Sequence, residues 1–205
     1  MYIKKSILLL FLFVLVVYLM GCFPASRTEK DESESETTEE NTEITDVEEA
    51  DGVKILNIAE TEQANEMYSP EKDSAYLYWL NNKLILLNGS TKCNIFALNV
   101  LFKSGFKTPT TNALTRDLVD TEKFTDIFPV VAIKDATKAK KGDLIVWNGH
   151  VIIFESLTKI KSDLYAMAWW AGTQQSDNGD NIKNNVCYGK YKLIGYYVVR
   201  RPVKK

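Results

Sequence analysis

The sequence predicts an α+β domain in which N-terminal helices pack on an antiparallel sheet. Two observations predict it. Between residues 69 and 128 apolar residues recur at helical spacing between capping and breaking signals. Between residues 144 and 199 the period changes to two, and turn signals stand at Asn148-Gly149 and Lys161-Ser162-Asp163. No internal repeat interrupts this order, and 205 residues suffice for one ordinary domain with additions.

The elements follow in order. Ser69-Pro70-Glu71 reads as a helix start, with a capping side chain, a proline at the first helical position and an acid in the first turn. Ala75, Leu77, Tyr78, Leu80, Leu84, Ile85 and Leu87 supply its stripe, and Asn88-Gly89 ends it. Ser90 or Thr91 can cap the next helix, which places Cys93 in its first turn. Ile95, Phe96, Leu98, Val100, Leu101 and Phe102 make that helix apolar on most sides, so it should be buried, and Gly105 should stop it. Thr110 to Phe128 reads as a further helical pass capped by Thr111-Asn112, with Leu114, Leu118, Phe124 and Phe128 as candidates for its buried face and Pro129 as its end. Leu144–Trp147 and His150–Phe154, the latter extendable to Lys159, form a hairpin. Leu164–Ala171 is a third strand, and Val186–Tyr188 and Leu193–Val199 complete the sheet after a polar loop from Gln174 to Asn185.

The first 55 residues stand outside this domain. Lys4 and Lys5 precede an apolar run from Ile7 to Val17, closed by Leu19-Met20-Gly21-Cys22. That layout resembles a bacterial lipoprotein signal, which implies that residues 1–22 direct export and that Cys22 becomes the lipidated N-terminus. The rival expectation, an uncleaved signal anchor, suffers from the shortness of the apolar run. Export followed by acylation places the protein in the cell envelope, tethered to the cytoplasmic or outer membrane.

Residues 23–55 read as a disordered spacer. From Glu29 to Asp51 there are 12 acidic residues against one lysine. Such a run repels itself and buries too little apolar surface to offset its ordering entropy. The domain is therefore expected over 56–205. Residues 52–205 hold 21 Lys and Arg against 15 Asp and Glu, a mildly basic balance that suits an anionic wall polymer. No nucleic-acid motif occurs.

Cys93 and the chain's single histidine, His150, are the candidate chemical pair. A cysteine in the first turn of a helix meets the positive end of the dipole and unpaired N–H groups, which favour the thiolate. Lys92 adds a neighbouring cation. The same N–H groups could stabilise an oxyanion, and a histidine heading a packed strand could act as base. In an exported protein a Cys93–Cys187 disulfide is the plain alternative. Trp169 and Trp170 are expected to pack the sheet and cleft, and Asp143 to serve a turn.

The Cys93 helix, Gly-Asp-Leu-Ile-Val-Trp at 142–147 and Gly-His-Val-Ile-Ile-Phe-Glu at 149–155 together resemble the NlpC-type and CHAP-type cysteine peptidases and amidases of bacterial cell walls. The closing Tyr196-Tyr197-Val198-Val199-Arg200-Arg201-Pro202 is similar to their last strand. The resemblance covers roughly residues 75–200. It implies a papain-like fold, Cys93 as nucleophile, His150 as base and peptidoglycan stem peptides as substrate. It also implies a third residue on the strand after the histidine strand. Pairing about Lys161 sets His150 across from Gly172 and points to Gln174 for that role, with Thr173 as fallback, whereas Glu155 falls on the opposite face. The competing expectation is a catalytically inactive surface lipoprotein of the same fold that binds wall or host ligands. No cofactor or metal is expected, because Gln174–Asp180 lacks the spaced acids and central glycine of a calcium loop.

Overall fold

The computed structural model describes residues 39–172 and 181–205, with side chains from residue 49 onward. The signal segment with Cys22, most of the spacer, and Thr173 and Gln174 lie outside the described residues. The architecture is α+β: helices with a small two-stranded sheet on one side of a seven-stranded antiparallel sheet.

Helix α1 spans Glu39–Gln63 and corrects the expectation of spacer to residue 55. Ile55, Ala59, Glu62 and Gln63 are buried at spacings of four, three and one, which is a helical face. Two of these four are polar, so hydropathy alone conceals the stripe. Their burial is satisfied by partners distant in sequence. Gln63 Nε2 donates to the carbonyls of Asn181 and Val186. Glu62 accepts from the Tyr68 hydroxyl and from Lys103.

The helix expected from Ser69 to Leu87 is a hairpin instead. Strands β1 (Ser74–Leu77) and β2 (Lys83–Leu86) are joined by a 3₁₀ turn at Tyr78–Leu80 and by Asn81 and Asn82. Both asparagines hold left-handed backbone, φ 55° and 57°, which no helix interior accepts. The side chain of Asn99 secures the hairpin, accepting from Tyr78 N–H at 2.8 Å and donating to Tyr76 C=O at 3.0 Å. Leu84, counted toward a buried stripe, is exposed.

Helix α2 spans Cys93–Ser104 and is buried almost all round, as its apolar sequence requires. Gly105 ends it at φ 90°. Its N-cap is Lys92, not Ser90 or Thr91, and no side chain caps it. Of the helical pass expected over 110–128 only α3, Thr115–Leu118, is helical. The rest is turns gathered around the buried Arg200, whose guanidinium donates to the carbonyls of Asp120, Lys123 and Phe128. Backbone carbonyls bound to a distant arginine are not available to a helix.

The large sheet runs β3 (Val130–Ile133), β9 (Val198–Arg200), β4 (Leu144–Trp147), β5 (His150–Ile160), β6 (Asp163–Ala171), β8 (Val186–Lys192) and β7 (Asn181–Lys183). Strands β3 and β7 were not expected. The residues of β4, β5, β6 and β8 divide by alternation. Val146, Val151, Ile153, Trp169, Ala171 and Val186 pack with α2. Ile145, Ile152, Phe154, Trp170 and Cys187 form a second core on the other face. Trp169 and Trp170 are both buried packing residues.

The Gly-Asp-Leu segment has a structural role of its own. Gly142 sits at φ 89°, and a Cβ there would lie 2.8 Å from Ile55 Cδ1. Asp143 is buried and accepts from Arg201 Nε at 3.1 Å and Nη2 at 2.9 Å. The segment therefore locks α1 and the chain's end to the strand before His150.

Candidate functional site

Cys93 and His150 meet where the head of α2 packs on the start of β5. Cys93 Sγ lies 3.9 Å from the carbonyl of Gly149 and 3.7 Å from Thr91 Oγ1. Thr115 Oγ1 of α3 accepts from Gly149 N–H at 3.1 Å and pins the turn that presents His150. Beside this junction opens a cleft of about 460 Å³, lined by Lys72, Ser90, Thr91, His150, Asn185 and Tyr191 among others.

The two side chains are brought close but not joined. Val151 packs in the core with α2, whereas His150 belongs to neither core and lines the cleft. The sulfur therefore meets the peptide groups on either side of His150. The imidazole stacks on Tyr191, with centroids 5.0 Å apart and planes 17° apart. His150 Nε2 is buried with no hydrogen-bond partner among the described residues.

The electrostatics differ from the sequence expectation. Burial pushes the Cys93 thiol up. Thr91 and the N–H groups of Val151, Asn94 and Cys93 itself pull it down and do not prevail. The helix terminus supplies the expected N–H groups, but Cys93 is only 1% exposed and desolvation wins. Lys92 does not serve as a neighbouring cation for the thiol. Its ammonium turns away and donates to the carbonyls of Met67, Ser69 and Lys72 at 2.8, 2.6 and 2.6 Å. Burial lowers the His150 pKa to about 4. At neutral pH the resting site thus holds a thiol and a neutral imidazole. Tyr191 is raised, first by burial and then by a Cys93 charge, which marks it as a neighbour of the sulfur as well as of the ring.

No disulfide joins Cys93 to Cys187. Cys93 is a free thiol on the α2 face, and Cys187 belongs to the core on the opposite face. The expected facing of His150 and Gly172 lies beyond the paired residues of β5 and β6, which end at Ile153↔Trp169. Pairing runs Ser156↔Met167 beyond the turn, slips by one at Glu155, and continues as Phe154↔Ala168 and Ile153↔Trp169. Gln174, the expected third residue, lies outside the described residues. Two cleft residues escaped the sequence reading. Tyr191 sits on a strand longer than its apolar pattern suggested. Asn185 sits in an Asn184-Asn185 turn whose composition signals only a bend. Among the described residues no cluster of three or more His, Cys, Asp or Glu side chains is placed to hold a metal.

Two expected results follow from these environments. Alkylation of Cys93 by iodoacetamide at pH 7, followed by peptide mass mapping, should be slower than that of a cysteine peptide and should accelerate into the alkaline range. A neutral-pH rate above that of the peptide would contradict the raised thiol. The second concerns stability. An unfolded imidazole gains its proton as pH falls through about 6.5, whereas the folded one waits until about 4. Stability is complete above the upper value and falls through this window by ~2–3 kcal/mol. Urea unfolding at pH 7 and pH 4.5 measures it, and His150→Phe should remove that share of the loss. An unchanged pH dependence in the variant would refute the assignment.

No protein-family model, no curated protein and no solved structure matches the chain.

Proposed function

We propose that this protein is a cysteine-dependent amide hydrolase of the cell envelope, tethered by lipid on Cys22 and acting on peptidoglycan stem peptides. The observation that carries the reading is the packing of Cys93 Sγ against the peptide groups flanking His150, the chain's only histidine, beside a cleft that His150 lines. The finer fold assignment, a papain-like NlpC or CHAP arrangement, belongs to the same reading. Its support is the order of a cysteine opening α2, a Gly-Asp-Leu strand β4 and a histidine opening β5.

The chemistry starts from an uncharged pair. His150, neutral at pH 7, accepts the thiol proton as sulfur attacks the amide carbonyl. No hydrogen bond joins the two groups at rest, so the ring must shift from Tyr191 or one water must bridge them. The N–H groups of Cys93 and Asn94, which already contact the sulfur, can stabilise the oxyanion. The imidazolium then protonates the leaving amine, and water cleaves the thioester to free acid and thiol.

The test is digestion of purified peptidoglycan by the full chain, with new amino termini identified by mass spectrometry. Absence of any new amino terminus sinks the reading. One observation favours a second reading, a non-catalytic binding lipoprotein of the same fold: the thiol is buried and lacks an imidazole partner. That protein would retain peptidoglycan on a pull-down equally well with or without the Cys93 sulfur.

A further inference from the structure

The small sheet has one closed edge and one open edge. Among the described residues, strands β1 and β2 pair only with each other. Leu87 N–H donates to Asp73 C=O in register with the ladder, so the odd-numbered residues of both strands bond across it. The N–H and C=O groups of the even-numbered residues therefore point outward. On the β1 side those groups are taken. Tyr76 N–H donates to the Met67 sulfur at 3.0 Å, and Asn99 binds Tyr76 C=O and Tyr78 N–H. On the β2 side the N–H and C=O groups of Leu84 and Leu86 have no partner among the described residues.

The side chains leave the same strand uncovered. Ala75, Leu77, Ile85 and Leu87 pack into the core beneath the hairpin. Tyr76, Leu84 and Leu86 share its other face and are 46%, 52% and 72% exposed. Native strands guard an open edge with charges, proline or a covering segment. The only charge on β2 is Lys83 at its start, exposed and in no ion pair among the described residues.

A row of outward backbone donors and acceptors is matched by another extended backbone. A second copy of this chain is a poor source of one. A four-residue strand and three side chains fall well short of the ~800 Å² that each partner buries in a stable dimer. Residues 29–38 of the chain itself are a poor source too, since they hold no apolar residue to lie beside Leu84 and Leu86. We propose that the outer edge of β2 docks an extended peptide segment of a partner protein, which joins as a third, antiparallel strand. Its backbone exchanges hydrogen bonds with Leu84 and Leu86. Its residues opposite those two are apolar, and the residue opposite Lys83 is an aspartate or glutamate. Read toward the C-terminus, the segment is apolar, any residue, apolar, acidic. The site uses neither Cys93 nor His150, so it stands whether or not the chain is a hydrolase.

The probe is a fluorescent peptide amide, Gly-Thr-Val-Thr-Val-Asp-Gly, titrated with the full chain and read by anisotropy. Antiparallel docking sets its valines opposite Leu86 and Leu84 and its aspartate opposite Lys83. Binding should saturate, and replacing the aspartate by lysine should weaken it at least ~3-fold. Lys83→Glu should reverse that preference. Leu84→Pro should weaken binding at least ~10-fold, because it removes one outward donor and crowds the docked backbone. Its urea midpoint should hold, since the lost N–H bonds nothing in the hairpin and proline is accepted on such an edge. If Leu84→Pro unfolds, the Lys83→Glu reversal decides. Absence of saturable binding, or binding indifferent to both substitutions, overturns the proposal. So does a dimer that Leu84→Pro dissolves and the peptide leaves intact, which gives the edge to a second copy.

Discussion

Cys93→Ala should reduce release of new amino termini from peptidoglycan by at least ~10³-fold, because the covalent route is lost with the sulfur. The substitution is structurally mild. The side chain sits at the first position of α2, where alanine is a good helix former, and it gives up one sulfur contact to Gly149 C=O and one to Thr91. Stability should change by about 1–2 kcal/mol, so lost activity in a folded variant reports chemistry. Cys93→Ser should be similarly inactive. A hydroxyl is far less acidic than even a raised thiol, and His150, with its low pKa, is a weak base. Hydrolysis that survives in Cys93→Ala would remove the sulfur from the mechanism. Loss of activity in His150→Ala beside full activity in Cys93→Ala would assign the chemistry to a different nucleophile.

Lys92→Met should destabilise the fold by ~3 kcal/mol and loosen one wall of the cleft. Lys92 is 4% exposed, and its ammonium holds the carbonyls of Met67, Ser69 and Lys72 together. Burial lowers its pKa, which states the desolvation cost of the charge, and the nearby Asp73 offsets part of it. Methionine removes that cost at nearly constant volume, but it leaves the carbonyls of Met67 and Lys72 without that donor, while Ser69 C=O keeps only the N–H of Lys72. The unsatisfied carbonyls outweigh the relief of the buried charge. Pro70, Lys72 and Asp73 line the cleft, so the lost anchor should also raise KM and expose residues 67–73 to limited proteolysis. Urea unfolding gives the stability change. A midpoint equal to the wild type would show that the carbonyls of Met67 and Lys72 find other donors.

The order of elements around the site was legible because each rests on a local signal. Helix α2 carries an apolar run and Gly105 at its end. Strands β4 and β5 carry period two around Asn148-Gly149. The misreadings share another cause. Residues 69–87 and 110–128 contain helix-like spacing, but their backbone groups are claimed by Asn99, Lys92 and Arg200, which lie elsewhere in the chain. Helix α1 was hidden because Glu62 and Gln63 on its buried face are polar, and Asn65, Tyr68, Lys103, Asn181 and Val186 make that burial tolerable.

The sequence by itself determined the α+β class, the helix that begins at Cys93 and the strand that begins at His150. Periodicity, glycine stops and turn residues act over a few positions and need no distant partner. Tertiary structure alone decided the state of the pair. Depth of burial set the thiol high and the imidazole low. Packing stacked the ring on Tyr191 and left its Nε2 without a hydrogen bond. Desolvation, facing and register depend on which segments meet in space, and no local pattern encodes that.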